Sequence, residues 1–262
     1  MKHFSAFQTV SSVKQFAFRE GKELFLLFRN IPSLTVSLFF VSVVCMNLLA
    51  NKELISFQYL ALDCGFLLSW VSFLCMDMIC KRFGSKAAVQ VSLMALLVNL
   101  CVFLLFHVLS FTPGMWGEFY HYSKSQPEAA SFANEALNAT FGGTWYVVFG
   151  SALAMFCSSI VNAVVNHWIA SRTKSRGFKK FAIRSYVSTF AAQFVDNFIF
   201  AAVVSHVFFG WTFAQVAFCS LTGAVMELLC EMLFSPIGYK ICRLWEREGV
   251  GCEYLNHREN LS

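Results

Sequence analysis

Long apolar runs separated by short polar breaks set the pattern of this chain. The runs cover about 32–50, 57–80, 87–111, 144–170, 181–206 and 211–234. A helix needs about 20 residues to cross a hydrocarbon core ~30 Å thick. The pattern therefore predicts an all-α membrane protein with six transmembrane helices. Asn51-Lys52-Glu53 makes the first break, and a turn near Gly210 joins the last two runs. The only long polar stretch, 112–143, holds Pro113, Gly114, Pro127, Gly142 and Gly143 and reads as a loop. Its Trp116, Phe119, Tyr120 and Tyr122 suit a cap at the membrane surface. Pro236 is expected to interrupt the sixth helix, with a charged tail from Lys240. Three parts follow: a basic, Phe-rich segment over 1–30 that lies on the inner membrane surface, a six-helix domain over 31–239 with 112–143 external, and a tail over 240–262.

Composition agrees. The 262 residues are 57% hydrophobic and 13% charged, with a mean hydropathy of +0.60, whereas soluble domains carry about 25% charged residues. The net charge of +5 lies on one side of the predicted membrane. Of the 20 Lys and Arg, only Lys52 and Lys124 fall on the other. The excess of Lys and Arg on cytoplasmic loops then places both termini in the cytoplasm. That placement accounts for the charge without a nucleic-acid partner. Ten Cys are scattered with no C-x-x-C pair, mostly inside apolar runs. There Cys behaves as a small hydrophobe, so neither a disulfide framework nor a metal site is expected.

Candidate chemistry lies in the polar groups that interrupt the apolar runs. Thr189, Gln193, Asp196 and Phe200, spaced four, three and four apart, share one helix face. An aspartate near a bilayer centre costs about 2.5–3.5 kcal/mol on insertion scales, and such residues mark substrate or ion pathways. Asp63 and Asp77 stand ~21 Å apart along the second run and on one face if that run is helical throughout. Asp77 precedes Lys81 by one turn, a spacing that also suits a helix-end ion pair. Ser159, Asn162 and Asn166 share a face of the fourth run, Asn99 interrupts the third, and Glu227 and Glu231 lie one turn apart on the sixth. Side-chain amides in such places serve either as interhelical hydrogen-bond glue or as ligand contacts. Polar faces on several helices should converge on an internal cavity rather than meet lipid. No H-E-x-x-H, G-x-S-x-G or P-loop pattern is present, so no enzyme chemistry and no cofactor are expected.

Several of these residues stand in motifs. Asn47-Leu48-Leu49-Ala50-Asn51-Lys52, Asp63-Cys64-Gly65, Asp77 with Phe83-Gly84, Ser188-Thr189 with Gln193 and Asp196, and Glu231 with Ser235-Pro236 and Tyr239 occur in this order. Together they resemble the queuosine precursor transporters, also called the vitamin uptake transporter family, over roughly residues 40–245. The resemblance implies an arrangement like that of the substrate-binding subunits of energy-coupling-factor importers. It also implies residence in a bacterial cytoplasmic membrane and uptake of 7-deazaguanine precursors of queuosine. Under it, Asp196 would accept two N–H bonds from the base and Gln193 would answer its carbonyl. Asn99, Asn162, Asn166, Thr189, Asp63 and Glu231 would complete the lining, with Phe200 or Trp168 stacking. Lys81 stands where the family pattern D-x-x-x-E-x-Y-G has Glu, Phe83 where it has Tyr, and Glu227 where a Lys is expected. The two charge departures are complementary, which suggests a Lys81–Glu227 ion pair between the second and sixth helices. The expected partners are a small-molecule substrate and the lipid bilayer, with a second copy or an energising ATPase module as further candidates.

Overall fold

The computed structural model describes residues 18–117, 124–172 and 178–260. Of Ala163, Asn166, His167, residues 170–172 and 178–185, Glu231 and Ser235 it describes the backbone only. The expectations for residues 1–17 and for Phe119, Tyr120 and Tyr122 lie outside the described residues.

The chain forms α1 (Phe18–Asn30), α2 (Ser33–Leu49), a two-stranded antiparallel hairpin β1 (Glu53–Ser56) and β2 (Ala61–Asp63), α3 (Phe66–Phe83), α4 (Ser85–Leu109) and α5 (Pro127–Arg172). Next comes α6 (Phe178–Phe200), which runs on through a π-helical turn (Ala201–Ser205) into a last α-helical turn (His206–Phe209). Then follow α7 (Phe213–Arg247) and α8 (Cys252–Glu259). Pro32, at the N-terminus of α2, has no N–H to join a continuous helix, and α1 meets α2 at 105°. Gly84, at φ 90°, makes the turn between α3 and α4, where a left-handed backbone favours glycine. Gly210, at φ 66°, does the same before α7, which opens with a reciprocal cap between Thr212 and Gln215.

Among the described residues, four segments are long and apolar enough to cross a membrane: Ser85–Leu109, Pro127–Asn162, Tyr186–Phe209 and Phe213–Phe234. The bent pair α1 and α2 makes a fifth if taken as one span. With the many exposed leucines and phenylalanines on these helices, the molecule is a multi-pass, mostly helical membrane protein.

Three elements differ from expectation. The run 57–80 is not one helix, because its first part folds back as the hairpin and puts Asp63 on β2. Asp63 and Asp77 therefore do not share a helix face. The stretch 112–143 is only partly a loop, since α5 begins at Pro127, where proline suits the first turn. Pro236 does not end α7, which continues to Arg247. Gly238, two residues on, lets the helix pack closely on Leu74 and Met78 of α3. The proline costs one backbone bond, a loss that neighbouring helices can compensate.

Packing concentrates at two ends. One core joins both chain termini to the α3–α4 turn: Leu27, Ile79, Phe83, Val91, Trp245 and Tyr254 are buried together. At the other end Ala61 of the hairpin packs with Ala201, Trp211 and Val216. The hairpin is clamped there by Trp211 Nε1, which donates to Glu53 Oε1 (2.7 Å), and by Gln215 Nε2, which donates to the Phe57 carbonyl (2.9 Å).

Candidate functional site

A cavity opens beneath the hairpin, between α2, α3, α6 and α7. It encloses about 720 Å³ of non-atom space, its mouth included. Of this, about 100 Å³ is open to the centre of a water molecule, a tighter space than the usual ~300–1,000 Å³ of small-molecule sites. The C-terminal turn of α2 contributes Asn47, 1% exposed, whose Nδ2 donates to the Val43 carbonyl (3.0 Å). β2 contributes Asp63, and the first half of α3 contributes Phe66, Ser69 and Phe73. From α6 come Asp196, Asn197 and Phe200, and from the π-helical turn Ala201 and Ser205. The α6–α7 turn supplies Trp211, and α7 supplies Cys219, Gly223 and Glu227. α5 enters only with Ser151.

Each carboxylate is held by a neutral donor. Ser158 Oγ of α5 donates to Asp196 Oδ1 at 2.8 Å. Asn197 Nδ2 donates to Glu227 Oε2 at 3.1 Å, with Glu227 only 5% exposed. Gly223 makes room for this amide, since a Cβ there would stand 3.0 Å from Asn197 Nδ2. The Gly65 amide donates to Asp63 Oδ1 at 2.8 Å. Asp63 lies on the hairpin, outside the spanning helices. Burial pushes its carboxyl up to about 6, against the lowering effect of the Gly65 and Phe66 amides.

The backbone of α6 carries a structural device beside this site. In a π-helical turn the i→i−4 ladder is interrupted and carbonyls are freed. Here the Tyr146 hydroxyl of α5 donates to the Val203 carbonyl at 2.9 Å. Gly150 of α5 lies against Val204, where a Cβ would collide with its side chain. The turn thus docks tightly on α5 while its inner residues face the cavity.

Of the residues expected at a site, the structure brings Asp63, Asp196, Phe200 and Glu227 to this cavity. Gln193, 8% exposed, is buried one turn before Asn197, its Oε1 has no hydrogen-bond partner, and it does not line the cavity. Thr189 lies a turn further back, outside the lining. Asn99 is fully buried and neither of its amide atoms has a partner among the described residues, yet α4 contributes nothing to the cavity. Its buried stripe, Val91, Ala95 and Phe103 among it, packs on neighbouring helices instead. Asn162 and Trp168 are exposed, because the α5 face that turns inward carries Ser151 and Ser158. The side chains of Asn166 and Glu231 lie outside the described residues.

The expected Lys81–Glu227 pair is not formed. Lys81 Nζ instead pairs with Asp77 Oδ2 one turn away on α3, at 3.8 Å and partly exposed, and Glu227 takes Asn197. Asn47, Asn197, Ser158 and Trp211 were not among the expected site residues. Asn197 follows Asp196 directly, so a narrow one-face reading of the helix excluded it. Trp211 was read only as the start of a span.

A family model described as "Putative vitamin uptake transporter" matches residues 63–241. No curated protein and no solved structure matches the chain.

Proposed function

The chain belongs to the vitamin uptake transporter family, and from that premise we propose that it imports a small purine-like base, a 7-deazaguanine precursor of queuosine, across the bacterial cytoplasmic membrane. The observation that supports this reading is the cavity itself. It joins flat aromatic surfaces (Phe66, Phe73, Phe200 and Trp211) to a carboxylate and two amides, Asp196, Asn47 and Asn197. A carboxylate can accept two parallel N–H bonds from the edge of a guanine-like ring, an amide can donate to its carbonyl, and the rings cover its faces. Asp196 takes the first role and Asn197 the amide role first assigned to Gln193. In this reading α2 and α3 complete six crossings, both termini lie in the cytoplasm and the hairpin caps the outward side. No catalytic role is assigned.

Uptake of a labelled 7-deazaguanine base into cells that lack their own importer tests the proposal. Expression of this chain should confer uptake that saturates with substrate, and no uptake above the empty vector would overturn it. A second reading is a substrate-binding subunit that docks on an energising module. On the exposed α2 face, Ser33 and Ser37 stand one turn apart where such subunits typically carry Ala spaced by four, which counts against docking. Co-purification of an ATPase with the tagged chain would favour that reading, and uptake by the chain alone in vesicles would remove it.

A further inference from the structure

We infer that this cavity selects a flat base carrying a protonated amine over an uncharged base of the same shape. The inference rests on the reading of the cavity as the substrate site and concerns the charge of what enters it. Three carboxylates line the cavity, and they come from three separate elements: Asp63 from the hairpin, Asp196 from α6 and Glu227 from α7. Among the described residues no Lys, Arg or His lines it. The described ion pairs all lie elsewhere: Asp77 with Lys81, Glu20 and Glu23 with Lys86, and Glu246 with Arg243. Among the described residues the cavity carboxylates have only neutral hydrogen-bond donors, from Gly65, Phe66, Ser158 and Asn197.

Neutral donors orient a carboxylate but do not cancel its charge, and like charges in a shared, poorly solvated space oppose one another. The space is relieved when one carboxyl takes up a proton, and further when the ligand supplies a positive charge to those that stay ionised. The N–H edge of a neutral base can satisfy one carboxylate, leaving two with neutral donors only and no positive partner. A nitrile substituent makes matters worse, because it only accepts hydrogen bonds and would face carboxylate oxygens. An ammonium group offers three donors and a unit charge, enough to reach a second and third carboxylate. The aromatic walls add a favourable surface for a cation. Asp196 thus reads the ring, and Asp63 and Glu227 read the substituent.

The test compares equilibrium binding of 7-aminomethyl-7-deazaguanine and 7-cyano-7-deazaguanine to the purified full-length protein at neutral pH. The wild type, D63N and E227Q are compared, with thermal melting to confirm that each variant is folded. The amine-bearing base is expected to bind at least ~10-fold more tightly than the nitrile, the scale of one charge-assisted hydrogen bond. That ratio should shrink several-fold in D63N, E227Q or both. Equal binding of the two bases to the wild type would overturn the inference alone, as would a ratio unchanged in both folded variants. Failure of both bases to bind would overturn the proposed substrate, and the inference with it.

Discussion

Asp196 could be singled out from residue type alone, because an acid in an apolar helix is too expensive to be incidental. Its neighbours were harder to read. Helical periodicity gives a face, but not how far along it the cavity reaches, and Asn197 rather than Gln193 one turn earlier lines the cavity. Asn99 has the same chemistry as Asn47 but sits on a helix that packs behind the site. Ser158 was invisible for a different reason, since a serine in a membrane span usually bonds to its own helix. Here the Met155 carbonyl is within reach at 3.1 Å, but the single hydroxyl proton has the shorter contact, 2.8 Å, to Asp196 Oδ1. Ser158→Ala is expected to weaken substrate binding by roughly 3–10-fold, as one hydrogen bond to a charged acceptor is lost, and titration calorimetry on the variant checks this. Asp63 makes a prediction in pH. An unfolded carboxyl releases its proton near 3.8, and the folded one holds it to about 6. The folded chain therefore binds the extra proton between those values, and this group's contribution to stability falls as pH rises through that window. Thermal melts across the window should show that fall, and Asp63→Asn should flatten it.

At the scale of elements, helix existence was legible and helix ends were not. The hairpin was hidden because its turn and second strand, Phe57 to Leu62, are nearly as apolar as the helix that follows. A continuous apolar run does not distinguish a short strand from a helix turn. α5 and α7 outran their expected limits because Pro127 and Pro236 were both read as breaks, whereas one starts a helix and the other is absorbed within one. The hairpin matters because it closes the cavity, and its clamp is specific. Trp211 is 1% exposed and its indole N–H is the donor to Glu53. Trp211→Phe keeps most of the buried ring and removes that donor. It is expected to lower stability by about 1–3 kcal/mol, the cost of a buried acceptor left unsatisfied. A melting temperature as low as that of an unrelated core truncation, or one unchanged from wild type, would argue against the clamp.

Over the whole molecule, membrane class and a polar interior were readable from composition and pattern. The role of the tail was not, because a charged segment looks solvated whether or not it docks. α8 folds back onto the α3–α4 turn. Arg82 donates through Nε and Nη2 to the Val250 carbonyl (2.9 and 2.6 Å), and Arg258 Nη1 donates to the Phe83 carbonyl (3.2 Å). Tyr254 is fully buried beside Phe83, its hydroxyl 3.4 Å from Glu23 of α1. The terminal segments and the Phe83-Gly84 turn thus form one body at the end away from the hairpin. Tyr254→Ala should cost about 3–5 kcal/mol, as for other large aromatics removed from a core, and should release α8 to proteolysis. The cavity lies at the other end of the helices, and the proposed import rests on that space holding a base. The most direct measurement is equilibrium binding of a labelled 7-deazaguanine base to the purified protein, wild type beside Asp196→Asn. Saturable binding that falls at least ~10-fold in a variant melting like the wild type is the expected result. Absent binding, or binding untouched by the substitution, would contradict it.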